Sequence, residues 1–96
     1  MEIDVNVHNQ EIVSVCDSEL IGKTLTEKEL EITITERFYK GEQFEEEEII
    51  CLLKEAGNIN IVGENSIKLA LKAKVITKEG IIKIQGVPLA QVYSVI

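Results

Sequence analysis

Asn58-Ile59-Asn60-Ile61-Val62-Gly63-Glu64 is the stretch on which the fold turns. Two amides, a glycine and an acid stand where one element gives way to the next. Downstream, Val62, Ser66, Leu69, Ala70 and Ala73 recur at helical spacing, with Lys68 and Lys72 on the outer side. The stretch therefore reads as the opening of a helix that begins at Ile61 or Gly63. Upstream, Ile49, Leu52, Leu53 and Ala56 fall at i, i+3, i+4 and i+7, and Gly57 supplies a C-terminal stop. That apolar stripe should face a sheet. Two helices thus occupy the middle of the chain.

Strand patterns flank them. Ile3, Val5 and Val7 alternate with Glu2, Asp4, Asn6 and His8, the period of a half-buried strand. His8-Asn9-Gln10 is a polar turn, and Ile12 to Cys16 returns as the hairpin partner. Asp17 to Lys28 reads as irregular, bent at Gly22. Leu30, Ile32 and Ile34 alternate with Glu29, Glu31, Thr33 and Thr35, which places acids and threonines outside and apolar residues inside. Arg37 to Phe44 reads as a turn region around Gly41 that holds Phe38, Tyr39 and Phe44. Beyond the helices, Lys78-Glu79-Gly80 turns into a strand over 81–85, Gly86-Val87-Pro88 breaks it, and Ala90 to Ile96 forms the last strand. The order βββααββ predicts an α+β fold: a two-layer sandwich of two helices on a small, mainly antiparallel sheet of about five strands.

Ninety-six residues make one domain, 1–96, able to bury roughly 60–65% of its unfolded surface. The apolar runs are too short to span a bilayer and no basic-then-apolar leader precedes the first strand, so the expectation is a soluble, cytoplasmic protein with no membrane contact. Cys16 and Cys51 form no Cys-x-x-Cys pair and read as buried free thiols. The net charge of −7 disfavours nonspecific nucleic-acid binding. It is unevenly spread. Residues 1–48 hold 14 acids and 4 bases, whereas residues 49–96 hold 3 acids and 6 bases. The acidic half could meet a basic partner, and the lysine-bearing half a phosphate backbone.

Enzyme motifs are incomplete. Gly22-Lys23-Thr24 ends like a phosphate-binding loop, yet Asp17 stands where the first glycine belongs and Glu19 follows, so two carboxylates would repel the anion. Glu45-Glu46-Glu47-Glu48 can bring only Glu45 and Glu48 to one helical face, too few ligands for a divalent metal; these acids suit the positive end of a helix instead. His8 is the lone histidine, on the polar face of a strand, where solvation is the expectation. Cys16 has acidic neighbours, and no serine sits in a nucleophile elbow. The reading is no enzyme and no cofactor. Arg37-Phe38-Tyr39-Lys40 mixes cations and aromatics as single-strand RNA binders do, although Phe38 and Phe44 suit the end of an aliphatic core better, with Tyr39 the aromatic left exposed. Packing alone accounts least well for Asn58–Glu64 and Gly86–Gln91, junctions of a kind that hold binding surfaces and ordinary turns alike.

Four segments carry a family resemblance: Cys16-Asp17-x-Glu19-Leu20-Ile21-Gly22-Lys23-Thr24, Phe38-Tyr39-x-Gly41, Asn60-Ile61-Val62-Gly63-Glu64 and Gly86-Val87-Pro88-x-Ala90-Gln91. In order and spacing they resemble the archaeal domain of unknown function 424 over nearly the whole chain; Leu89 departs from the polar or His residue expected in some relatives. The resemblance implies a small, stand-alone, cytosolic α/β two-layer protein with no established activity, and directs attention to translation or RNA handling. The resulting expectation is a non-enzymatic binding module docking on a protein or ribonucleoprotein partner of the translation machinery. Its surface would comprise Lys23, Asn60, Gly63, Glu64, Gly86, Pro88 and Gln91. The alternative is an RNA-binding domain using Arg37, Tyr39, Lys68 and Lys72. A small-molecule enzyme ranks third for want of a catalytic group.

Overall fold

The Asn-Ile-Asn-Ile alternation of residues 58–61 is a strand signal, and the computed structural model, which describes residues 2–8 and 11–93, makes it the centre of the sheet. The elements are β1 (Ile3–His8), β2 (Ile12–Asp17), β3 (Thr24–Glu27), β4 (Leu30–Thr33), α1 (Glu36–Tyr39), α2 (Glu46–Glu55), β5 (Asn58–Val62), α3 (Glu64–Lys72), β6 (Ile82–Ile84) and β7 (Val87–Tyr93). Five strands form a mixed sheet in the order β1-β2-β5-β7-β6. Only β2 and β5 run parallel; the other neighbours are antiparallel. The fold is α+β, as the element pattern predicts. Its five strands are not the five expected: β5 was read as a helix opening, while Leu30–Thr33 leaves the main sheet and pairs with β3, a strand inside the stretch read as irregular. The tip of the β1–β2 turn and residues 94–96 of the last strand fall outside the described residues.

Both faces of the sheet are covered, by different material. Ile3, Val5, Val13, Val15, Ile59, Ile61 and Ala90 form a core with Ile49 and Leu53 of α2 and Ile67 and Ala70 of α3. This is the helix-on-sheet sandwich. On the other face Cys16, Val62, Ile84 and Leu89 meet Leu20, Leu25, Ile34 and Tyr39. That smaller core sits under the β3–β4 hairpin, α1 and a 3-10 turn at Ser18–Leu20. A central strand buried on both faces loses the clean apolar–polar alternation of a half-exposed one; hence Val62 passed for a helix position.

Several local expectations are corrected by this second core. Tyr39 was expected to be exposed but is only 4% so, because α1 turns it into the cluster edge-on to Phe38. Leu30 was expected inside but is 53% exposed, since the hairpin rests on the sheet by its other end, at Leu25 and Ile34. Cys51 is exposed on the outer side of α2, while Cys16 is buried as expected. His8 is half-buried, its ring stacked 4.9 Å from that of Phe38, with Nε2 3.1 Å from the Phe38 carbonyl oxygen. Pro88 does not end a strand; it lies within β7 opposite Lys83. Its carbonyl accepts the Gly63 N–H at 2.9 Å, so its nitrogen also faces Gly63. The Gly63 carbonyl is already taken by the Ile67 N–H, so no ladder donor is missed there.

Candidate functional site

The junction between β2, β5 and α3 is built by a carboxylate. Asp17, at the end of β2, is buried and accepts hydrogen bonds from Asn65 N–H (3.1 Å), Ser66 N–H (2.9 Å) and Ser66 Oγ (2.8 Å). It thus caps α3 from a neighbouring strand, satisfying donors that the N-cap residue, Gly63, has no side chain to reach. Gly63 has φ +112°, and a Cβ there would lie 2.6 Å from Asp17 Oδ1. Glycine is required by both conformation and space. The half phosphate-loop motif opens no helix: the Gly22 N–H is taken by the Ile34 carbonyl at 2.7 Å, and Thr24 begins β3.

Asp17, Gly63, Glu64, Gly86 and Pro88 line one small cavity of about 170 Å³ with Glu19. Asp17, Glu19 and Glu64 make it acidic. Gly86 belongs to the two-residue β6–β7 turn, where Gln85 and Gly86 both have positive φ (53° and 79°), the mirror-image turn that suits strand twist. The Gln85 side chain accepts the Thr26 N–H, and Glu27 accepts the Gln85 N–H, which ties the β3–β4 hairpin to this turn.

Asn60 and Gln91 lie elsewhere, directly paired across β5 and β7. They face a groove of about 400 Å³ lined by Ile12, Thr33, Thr35, Phe38, Tyr39, Asn58, Asn60, Gln91 and Tyr93. None of these nine residues is charged, in a chain with 28% charged residues. The β5 register produces this: Ile59 and Ile61 point to the helices, so Asn58 and Asn60 point to the opposite face. Asn60 is 7% exposed, and its remaining surface opens into the groove. Gln91 Oε1 accepts the Tyr93 hydroxyl at 3.3 Å. Ser14, paired with Asn60 on β2, is fully buried, and its Oγ has no hydrogen-bond partner among the described residues. Burial, then the nearby Cys16 and Tyr93, push the Tyr39 phenol up to about 12. Burial, then Asp17 and Asp4, push the Cys16 thiol likewise up to about 12.

The surface expected as one is therefore divided. Gly63, Glu64, Gly86 and Pro88 sit at one end of β5, Asn60 and Gln91 face the groove, and exposed Lys23 lines neither. The RNA alternative is divided more deeply. Arg37 and Tyr39 belong to α1 on the groove side, whereas Lys68 and Lys72 belong to α3 on the other face of the sheet. Lys72 Nζ is also engaged by Glu46 Oε1 at 2.7 Å. The sequence reading missed Asn58, Tyr93, Thr33 and Thr35 as groove residues. The Asn58-Ile59-Asn60 alternation is the signal that could have found the first.

The family model described as Protein of unknown function (DUF424) matches residues 5–95. The chain belongs to the DUF424 family. This DUF424 chain is similar in structure to an uncharacterized conserved protein from Methanopyrus kandleri, with a TM-score of 0.80 at 26% identity. The match covers 97% of this chain and 91% of that one. No curated protein matches the DUF424 chain.

Proposed function

We propose that this DUF424 chain is a non-enzymatic binding module of the cytoplasm that docks on a protein partner through the groove between α1, β5 and β7. The observation that carries this is the lining. Asn58, Asn60 and Gln91 offer carboxamides, each with two donors and an acceptor, and Tyr39 and Tyr93 offer hydroxyls on large apolar rings. Such residues hold a ligand by hydrogen bonds and contact area. They are poor at proton transfer: among the described residues the groove lining has no carboxylate, imidazole or thiol, and the Tyr39 phenol is held protonated by a pKa raised to about 12. Among the described residues no three His, Cys, Asp or Glu side chains gather to hold a metal, and no helix is long and apolar enough to cross a membrane. Both cysteines are free, which fits a reducing compartment. The family resemblance directs the search for the partner to the translation machinery.

The test is affinity capture from native-cell extract, with and without RNase. The expected result is one protein retained stoichiometrically in both samples. Retention abolished by RNase would replace this reading with RNA binding, and turnover of a small molecule by the purified chain would replace it with catalysis.

A further inference from the structure

A row of polar side chains crosses the sheet beneath the groove. Ser14 of β2 is registered with Asn60 of β5, and Asn60 with Gln91 of β7. The Gly63 N–H reaches the Pro88 carbonyl, and hydrogen-bonded pairs alternate along β5 and β7 from there. Asn60 and Gln91 therefore form a non-hydrogen-bonded pair, the kind that brings facing side chains closest. Asn6, next in the row on β1, is satisfied by the Arg37 and Lys40 carbonyls. Ser14 and Asn60 differ from it. Ser14 is fully buried and its hydroxyl has no partner among the described residues. Asn60 is 7% exposed and opens into the groove, and among the described residues its carboxamide takes part in no hydrogen bond. Gln91 accepts the Tyr93 hydroxyl through its oxygen, which leaves its NH2 group to a ligand. A nearly dry amide without a partner is costly to a fold unless something that binds there meets it.

We infer that the partner seats the side-chain carboxamide of a glutamine or asparagine on Asn60, with its methylene stem against the Phe38 and Tyr93 rings. This rests on the docking reading above and names the group that enters the groove. A primary carboxamide carries its oxygen and an N–H on one edge, so it meets the oxygen and an N–H of Asn60 in two parallel hydrogen bonds. A trans main-chain amide points its N–H and C=O to opposite sides and can satisfy only one of them. A hydroxyl offers one atom where two are faced. Charge gives the same answer. The nine lining residues are uncharged, and beside them in sequence stand Glu11, Glu36, Arg37 and Lys40, two of each sign and all exposed. A carboxylate, ammonium or guanidinium entering the groove would lose water without gaining a counter-ion in the lining. A nucleobase has an edge of the required kind, but its phosphate would find no cation in the lining and as many acids as bases beside it.

The experiment selects binders to the immobilised full chain from a random dodecapeptide phage library, then synthesises the tightest with its carboxamide residues exchanged one at a time. The expected result is enrichment of glutamine or asparagine at one position. Exchanging that residue for the matching acid, or for methionine or leucine of similar shape, should weaken binding about tenfold or more. These exchanges leave the protein unaltered, so its folding does not enter. In nuclear magnetic resonance of the labelled chain, the Asn60 side-chain amide protons should move downfield in the complex. Asn60→Asp should weaken the same peptide about tenfold, and Lys68→Ala, on the helix side of the sheet, should leave it unchanged. Peptides that tolerate the exchanges yet lose affinity on Asn60→Ala would overturn the carboxamide while leaving the groove as a docking site. No enrichment of any peptide, or Asn60 side-chain protons that stay in place, would overturn it as well; partner capture by a variant lacking both Asn60 and Gln91 amides would decide the docking reading separately. Adenosine or uridine moving those protons where peptides do not would replace the side chain with a nucleobase.

Discussion

The two faces of the sheet are built from the same strands to different specifications. On the helix side, Val13, Val15, Ile59 and Ile61 meet Ile49, Leu53, Ile67 and Ala70, and the one buried carboxylate there, Asp17 in line with Val13 and Val15, is taken up in capping α3. On the other side the same strands present Asp4, Asn6, Ser14, Asn58 and Asn60, and the cover is a hairpin and a single helical turn. Some of those polar groups hold the cover down. Asp4 accepts bonds from the Ser18 hydroxyl and the Gly41 N–H, and Asn6 donates to the Arg37 and Lys40 carbonyls. The Asn58 and Asn60 amides instead face the groove. The lesson is that polar residues on a covered sheet divide into those that fasten and those that remain available.

The largest break in this comparison should come from the helix side. Leu53→Ala removes a side chain that is fully buried between α2 and the sheet, and should cost about 2–5 kcal/mol in chemical denaturation. A loss no greater than that of a surface substitution would mean the inward face of α2 is assigned wrongly. Asp17→Ala comes next. It strands two main-chain donors and a hydroxyl at the start of α3, and should cost about 2–3 kcal/mol. Hydrogen exchange should show the gain in opening concentrated in the first turn of α3.

The two buried acids near the groove, Cys16 and Tyr39, give a smaller effect with a definite sign. Their ordinary values are 9.0 and 10.0, and both stand near 12 in the fold. Each is neutral when protonated, and the fold holds the protonated form. Their contribution is therefore complete below pH 9 and is lost as pH climbs toward about 12. The urea midpoint should fall across that window, and Tyr39→Phe should flatten part of the fall. A midpoint constant over the window would show that neither group is held from ionising. Smaller again is Glu46→Gln, which should cost under about 1 kcal/mol, because the Lys72 pair and the helix-end interaction are both largely exposed.

The fold was legible wherever one period governed a segment. The alternation in 3–7 and the helical spacing in 49–56 and 66–73 gave β1, α2 and α3 because each keeps one apolar and one polar side. It was least legible where an element is dry on both sides. β5 carries an alternation, but Val62 and the following helix extend the apolar pattern, and Gly63 looks like an ordinary helix start. What the sequence does not display is that Gly63 is matched to Asp17, 46 positions earlier, by the parallel pairing of β2 with β5. The same holds for the site. Asn60 and Gln91 were legible as residues packing does not explain, and their cross-strand pairing brings them together. Gly63, Glu64, Gly86 and Pro88 looked equivalent to them in sequence, yet the first three serve or border the capped junction and Pro88 sits within β7. Tyr39 looked exposed because a single turn of helix has no periodicity from which to read an inward face.

The most direct measurement is a paired one on the double variant Asn60→Ala, Gln91→Ala. Thermal unfolding and partner capture would be recorded on the same preparation beside the unmodified chain. A groove kept for docking expects the melting temperature to stay within about 3 °C while partner capture is lost. A melting temperature lower by more than about 8 °C, or capture undiminished, would contradict the account: the first would make the two amides fasteners like Asp17, and the second would place docking on another surface.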